Sequence, residues 1–181
     1  MMKRIFLSLV LVFSFVPLSF AKETPEQIVG MYLDEINLKG FASVAHYYHP
    51  DELKKFKVAF MECFETVNDP EMIMESFGQA YSLNELKSMS DEVFVSKILQ
   101  RTNDSFKENN VKFQKTEIIG SVAEKEDIHF LIRQYISLED VDFNAKEIAT
   151  LKPYKNTYKM LFNDELNMMI QAIQTRKESA E

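Results

Sequence analysis

An α+β fold is what this 181-residue sequence predicts: N-terminal helices packed on one face of a curved antiparallel sheet, with a further helix at the C-terminus. Three observations carry that expectation. As far as Asn110, apolar residues recur at steps of three and four, and the segments between them carry helix caps. From Val111 the period falls to two, in runs long enough for a meander of strands. After residues 163 and 164 an amphipathic pattern of helical period returns.

The first helix is bounded by chemistry at both ends. In "TPEQIVGMYLDEINLKG", Thr24 stands as N-cap, Pro25 occupies the first helical position and Gln27 can reach back to the cap, while Lys39 and Gly40 close the segment. Its inward stripe is Ile28, Val29, Tyr32, Leu33 and Ile36. A short helical turn from Phe41 to about His46 follows. A second helix begins near Pro50, where Asp51 and Glu52 suit the positive end of the helix dipole, and runs to Val67 before "NDP" stops it. Further helices are expected over Glu71 to Phe77, from a Ser82 cap with Glu85 at its third position, and from a Ser90 cap through Phe106. The last of these should turn Phe94, Ile98, Leu99, Thr102 and Phe106 inward.

In the second half, Val111 and Phe113 alternate with Lys112 and Gln114, and Ile128, Phe130 and Ile132 alternate with His129 and Arg133. These are two strands joined by the acidic turn Glu124 to Asp127. A second hairpin is expected with strands near Glu147 to Lys152 and Thr157 to Phe162 around "PYKN". Asn163 or Asp164 then caps a last helix whose apolar side is Leu166, Met169, Ile170 and Ile173. With no internal repeat, low-complexity segment or linker, residues 22–181 are expected to form one domain.

Residues 1–21 carry a different message. "MMKRIFLSLVLVFSFVPLSFA" has a basic start, an apolar run interrupted by Pro17, and small residues Ser19 and Ala21 before a cut at Lys22, the pattern of a secretory signal peptide. The expected location is periplasmic or secreted, with no transmembrane segment left after cleavage. Removal of Lys3 and Arg4 leaves 19 basic against 28 acidic residues, a net charge of −9. Nucleic acid is excluded as a partner on that balance, because no basic cluster exceeds Lys54-Lys55-Phe56-Lys57, which reads as a solvated helix face. Cys63 is the single cysteine, so no intramolecular disulfide can form; its place on an apolar helical stripe makes it a buried structural thiol.

The capped first helix, the segment "FASVAHYYHPDELKKFK" and the terminal "NTYKMLFNDELNMMIQAI" together resemble an exported member of the nuclear transport factor 2-like, or cystatin-like α+β cone, superfamily. The resemblance spans most of the chain after the leader. It implies a hydrophobic cone-shaped pocket and frequent dimers, in a group that includes ketosteroid-isomerase-type enzymes, dehydratases, small-molecule binders and assembly modules; it implies no particular chemistry. The helices between Asp69 and Asn110 and the C-terminal helix depart from the pattern, and either could cover the pocket or a dimer face.

Pocket candidates are Tyr32, Tyr47, Tyr48 and His46, the tyrosines as hydroxyl donors. His46 and His49 stand three apart, but Pro50 disfavours helical backbone at His49, so the pair straddles a corner and loses its metal-ligand spacing. No metal and no cofactor is expected. His129, Arg133 and Tyr135 share one strand face; because the larger apolar set should meet the helices, these three are expected on the outer sheet surface, as an interface, whereas with the sheet faces reversed they would be polar groups in the pocket. An isomerase mechanism would need a carboxylate base in the cavity, and no acid is recognisable at an inward strand position. "DVDFNAKEIATL" begins as a calcium loop with Asp140, Asp142 and Asn144, then fails at Ala145 and Leu151, and is expected to be a polar connection. The resulting expectation is an exported, non-catalytic module that binds a small apolar molecule or a protein partner. An isomerase/dehydratase-type enzyme and a structural homodimer are the alternatives.

Overall fold

The computed structural model describes residues 23–139 and 141–180. The signal-peptide expectation therefore lies outside the described residues. The architecture is α+β: α1 (Pro25–Lys39), a 3₁₀ helix (Phe41–Tyr47), α2 (Pro50–Val67), α3 (Pro70–Phe77), α4 (Leu83–Ser88) and α5 (Asp91–Glu108) precede the sheet. Strands β1 (Val111–Glu124), β2 (Asp127–Leu138), β3 (Val141–Tyr154) and β4 (Thr157–Met160) form an antiparallel meander in the order β1-β2-β3-β4, and α6 (Asp164–Glu178) follows the sheet. Among the described residues no helix is long and apolar enough to cross a membrane.

Helix boundaries follow local chemistry. Thr24 and Gln27 form a reciprocal capping box, as do Ser82 and Glu85, each pair satisfying two backbone donors that the first turn leaves unpaired. Ser90 and Asn163 cap α5 and α6 through their side chains. His49 serves α2 in the same way, its Nδ1 accepting from the Asp51 N–H at 3.2 Å, and Asn68 ends α2 in the left-handed region at φ 49°. Lys57 spans two elements: its ammonium donates to the carbonyls of Lys87 (3.2 Å) and Met89 at the end of α4 and lies 3.7 Å from Asp91. The basic run at 54–57 is thus only partly a solvated face.

The core lies between the helices and the inner sheet face. Phe56, Phe64, Phe94, Met72, Leu86, Ile132 and Leu151 are fully buried. Phe56 stacks on Phe60 with centroids 4.5 Å apart and meets the edge of Phe162, which follows β4. Cys63 is buried with its Sγ 4.0 Å from Met72 Sδ, and burial pushes the thiol up, so it is a packed, protonated group.

Two polar details fix the turn between α1 and the 3₁₀ helix. Gly40 has φ 86°, and a Cβ there would sit 2.7 Å from the Asn103 amide, so glycine is required by both backbone and space. Asn103, on α5, uses its Oδ1 to accept the Phe41 N–H at 2.7 Å. Of the expected inward residues of α5, Phe94, Ile98 and Leu99 are buried, joined by Val95 and Asn103, while Thr102 and Phe106 are half-buried. Asn103→Ala is expected to destabilise the protein by about 2 kcal/mol, because it strands a buried donor. Urea unfolding at neutral pH checks this, and a loss below about 0.5 kcal/mol would mean water satisfies Phe41 equally well.

The strands correct the sequence reading at one place. β3 begins at Val141, not near Glu147, and pairs with β2 from Leu138↔Val141 to Ile128↔Leu151. The polar segment from Asp142 to Ala145 is therefore strand rather than connection; Asp140, the first residue of the calcium-like pattern, lies outside the described residues. Residues 141–146 are exposed on both faces, along the part of β3 that has no β4 partner, and so no alternation marks them. β4 is also shorter than expected and pairs only with Leu151–Tyr154, leaving the outer edge of β3 open from Val141 to Ala149 apart from Leu161 N–H donating to Thr150 O at 2.8 Å just beyond it.

Candidate functional site

A cavity of about 290 Å³ lies between α1, α5, α6 and the inner sheet face. One end is apolar. Phe41, Phe106 and Phe113 bring together the 3₁₀ helix, α5 and β1, with ring centroids 5.5 to 5.6 Å apart in all three pairs, and Leu99, Ile136, Leu166 and Met169 continue the wall.

The other end is polar. Tyr32, held on the buried stripe of α1, and Tyr48, at the junction before α2, place their hydroxyls 3.0 Å apart. Both side chains are buried, and Tyr48 is fixed by an edge contact with Phe162 at 4.9 Å and by a bridge to Met160. Burial, and nearby Glu147 and Glu165, hold Tyr32 well above the usual phenol range and push Tyr48 up to about 12, so both remain protonated donors at physiological pH. One hydroxyl hydrogen closes the pair and the other is left to donate.

Glu147 supplies the carboxyl that the strand pattern concealed. Its partner across the sheet is Ile132, a buried inward residue, so Glu147 faces inward as well. Gln134, itself buried, donates through Nε2 to Glu147 Oε1 at 3.0 Å, and the Asn163 side chain hydrogen-bonds the same carboxyl. Partial burial and the charge of Glu165 outweigh these hydrogen bonds and push Glu147 up to about 7. The expectation that no acid occupies an inward strand position is thus overturned. Its neighbour Ile148, paired with Leu131 on β2, points to the outer face and is 58% exposed.

The other sequence candidates lie elsewhere. Tyr47 packs edge-on against Tyr32 at 5.8 Å and hydrogen-bonds Glu35, away from the cavity lining. His46 is tied to Ser43 O at 2.9 Å and lies 3.8 Å from Glu35 on the surface of the same corner, while His49 is engaged as the α2 cap. Among the described residues no group of three or more His, Cys, Asp or Glu side chains is placed to hold a metal ion.

His129, Arg133 and Tyr135 are on the outer sheet face. Tyr135 donates to Glu117 at 3.1 Å, Arg133 lies 3.8 Å from the same carboxylate, and His129 Nδ1 is 2.9 Å from Thr150 Oγ1. Exposed Ile119, Val122, Leu131 and Ile148 lie beside them. The residues that sequence reasoning missed are Glu147, Gln134 and Asn163; the available signal was the i to i+2 phase shared by Glu147, Ala149 and Leu151, the last two of which are buried. No family model, curated protein or solved structure matches this chain, so the site stands on its own geometry.

Proposed function

We propose that this chain is an exported domain of the nuclear transport factor 2-like kind that binds a small, largely apolar molecule between helices and sheet. The observation that carries the reading is the two-ended cavity: three phenylalanine rings at one end, and at the other an inward carboxyl near a buried tyrosine pair with a hydroxyl hydrogen to donate. Apolar walls with a few convergent polar groups are the usual make-up of a ligand site. Buried tyrosine hydroxyls and an acid that resists ionisation are otherwise a burden on a core, and a ligand gives them a use.

A second reading, an isomerase- or dehydratase-type enzyme, is favoured by Glu147 specifically. A carboxyl titrating near 7 can accept and return a proton at physiological pH, and the tyrosine pair would stabilise an oxyanion opposite it. Native against denaturing mass spectrometry of protein recovered from its export compartment is the first test, with a retained small molecule expected. Tyr48→Phe should reduce its retention about tenfold, since the remaining Tyr32 hydroxyl loses its partner. A protein that is bare under every gentle condition and indifferent to Tyr48→Phe would remove the reading. Under the enzymatic reading Glu147→Gln abolishes turnover while a neutral ligand still binds.

A further inference from the structure

Among the described residues, the polar end of the cavity is negative and has no compensating cation. Glu147 and Glu165 both line it, and Asp164 lines the cleft on the edge side of Glu147. Among the described residues, Lys146 is the one basic residue along this lining; it pairs across the sheet with Arg133 on the outer face and is exposed, so it does not neutralise the pair. The groups facing Glu147 from other elements are Tyr32 on α1, Tyr48 before α2, Gln134 on β2, and Asn163 and Glu165 at the start of α6. None of them carries positive charge. α5 contributes only the uncharged Thr102 and apolar side chains to this lining.

We propose that the cavity takes an organic amine, its protonated nitrogen seated at Glu147 and Glu165 and its hydrocarbon body against Phe41, Phe106 and Phe113. A carboxylate ligand would add a third negative charge to two that already repel. An ammonium removes that repulsion, accepts hydrogen bonds from nothing and donates to both acids. The proposal rests on the cavity being a ligand site, and it fixes the sign of the pH response. Glu147 must ionise for the ammonium to be held, so binding releases a proton to solvent at pH 6 and affinity rises with pH. A neutral carbonyl ligand would instead take a hydrogen bond from the protonated acid, and its affinity would fall with pH.

Isothermal titration of the protein with phenethylamine, 2-phenylethanol and 3-phenylpropionate at pH 6 and pH 8 tests this. The amine is expected to bind at least tenfold more tightly than the alcohol, with no binding of the acid. For one group titrating near 7, amine affinity should rise about tenfold between the two pH values. Glu147→Gln should remove that pH dependence and weaken the amine at least tenfold, and Glu165→Gln should move its midpoint to lower pH. Alcohol binding as tight as amine binding, or amine affinity that falls with pH, would overturn the amine proposal and leave the cavity as a ligand site. If none of the three compounds binds and the recovered protein is bare, both readings fail.

Discussion

Glu147→Gln is expected to make the unliganded protein more stable at pH 8, by about 2 kcal/mol, with little change at pH 5. The folded state holds this carboxyl protonated to about 7, above its ordinary value of 4.5. Between those values the folded chain carries a proton that the unfolded chain has lost, so stability falls as pH rises through that interval. The favourable contribution is complete below the unfolded value and has gone once pH passes the folded one. Above 7 the folded protein holds an ionised, partly buried carboxylate near Glu165. The full interval corresponds to about 3 kcal/mol, reduced to about 2 here because the side chain keeps some contact with solvent. Glutamine keeps the shape and removes the charge. Urea unfolding of both proteins at both pH values measures the difference, and an equal gain at pH 5 and pH 8 would show that ionisation of Glu147 is not its source. A substitution that stabilises the empty protein while weakening amine binding is the signature of a group retained for its ligand rather than for the fold.

Phe56→Ala is expected to destabilise by about 4 kcal/mol. The ring is fully buried, stacked on Phe60 and in edge contact with Phe162, so it joins α2 to the segment that leads from β4 into α6. No neighbour can fill the space without leaving its own contacts, which places the loss toward the upper part of the range for large-to-small core changes. Lys54→Ala, on the exposed side of the same helix, is expected to stay within about 0.5 kcal/mol and separates helix propensity from packing. Equal effects of the two substitutions would contradict the placement of Phe56. Because domain stabilities are typically about 5 to 15 kcal/mol, the Phe56 variant should unfold at a visibly lower urea concentration and lower temperature.

What the sequence by itself determined is whatever depends on residues within one turn or one hairpin of each other. Thr24 with Gln27 and Ser82 with Glu85 announce helix starts because each cap bonds a backbone donor three residues away. Pro50 announces the corner at His49 for the same local reason, and alternation announces β1 and β2 because one face of each meets the core. Tyr32 was legible as an inward residue, since helical period alone places it.

The tertiary structure decided the rest. Whether Glu147 or Ile148 faces the cavity depends on the register of β3 against β2, a pairing between residues 15 apart at Ile132↔Glu147. Asn103 became a core residue only because Gly40 and Phe41 approach it from 62 residues away along the chain. Glu147 on β3 is brought near Glu165 on α6, Tyr32 on α1 and Tyr48 at the junction before α2, and its proton affinity is set by burial and by the charge of Glu165. Local hydrogen bonds and periodicity are readable along a chain, whereas desolvation and through-space charge exist only once distant segments have packed together.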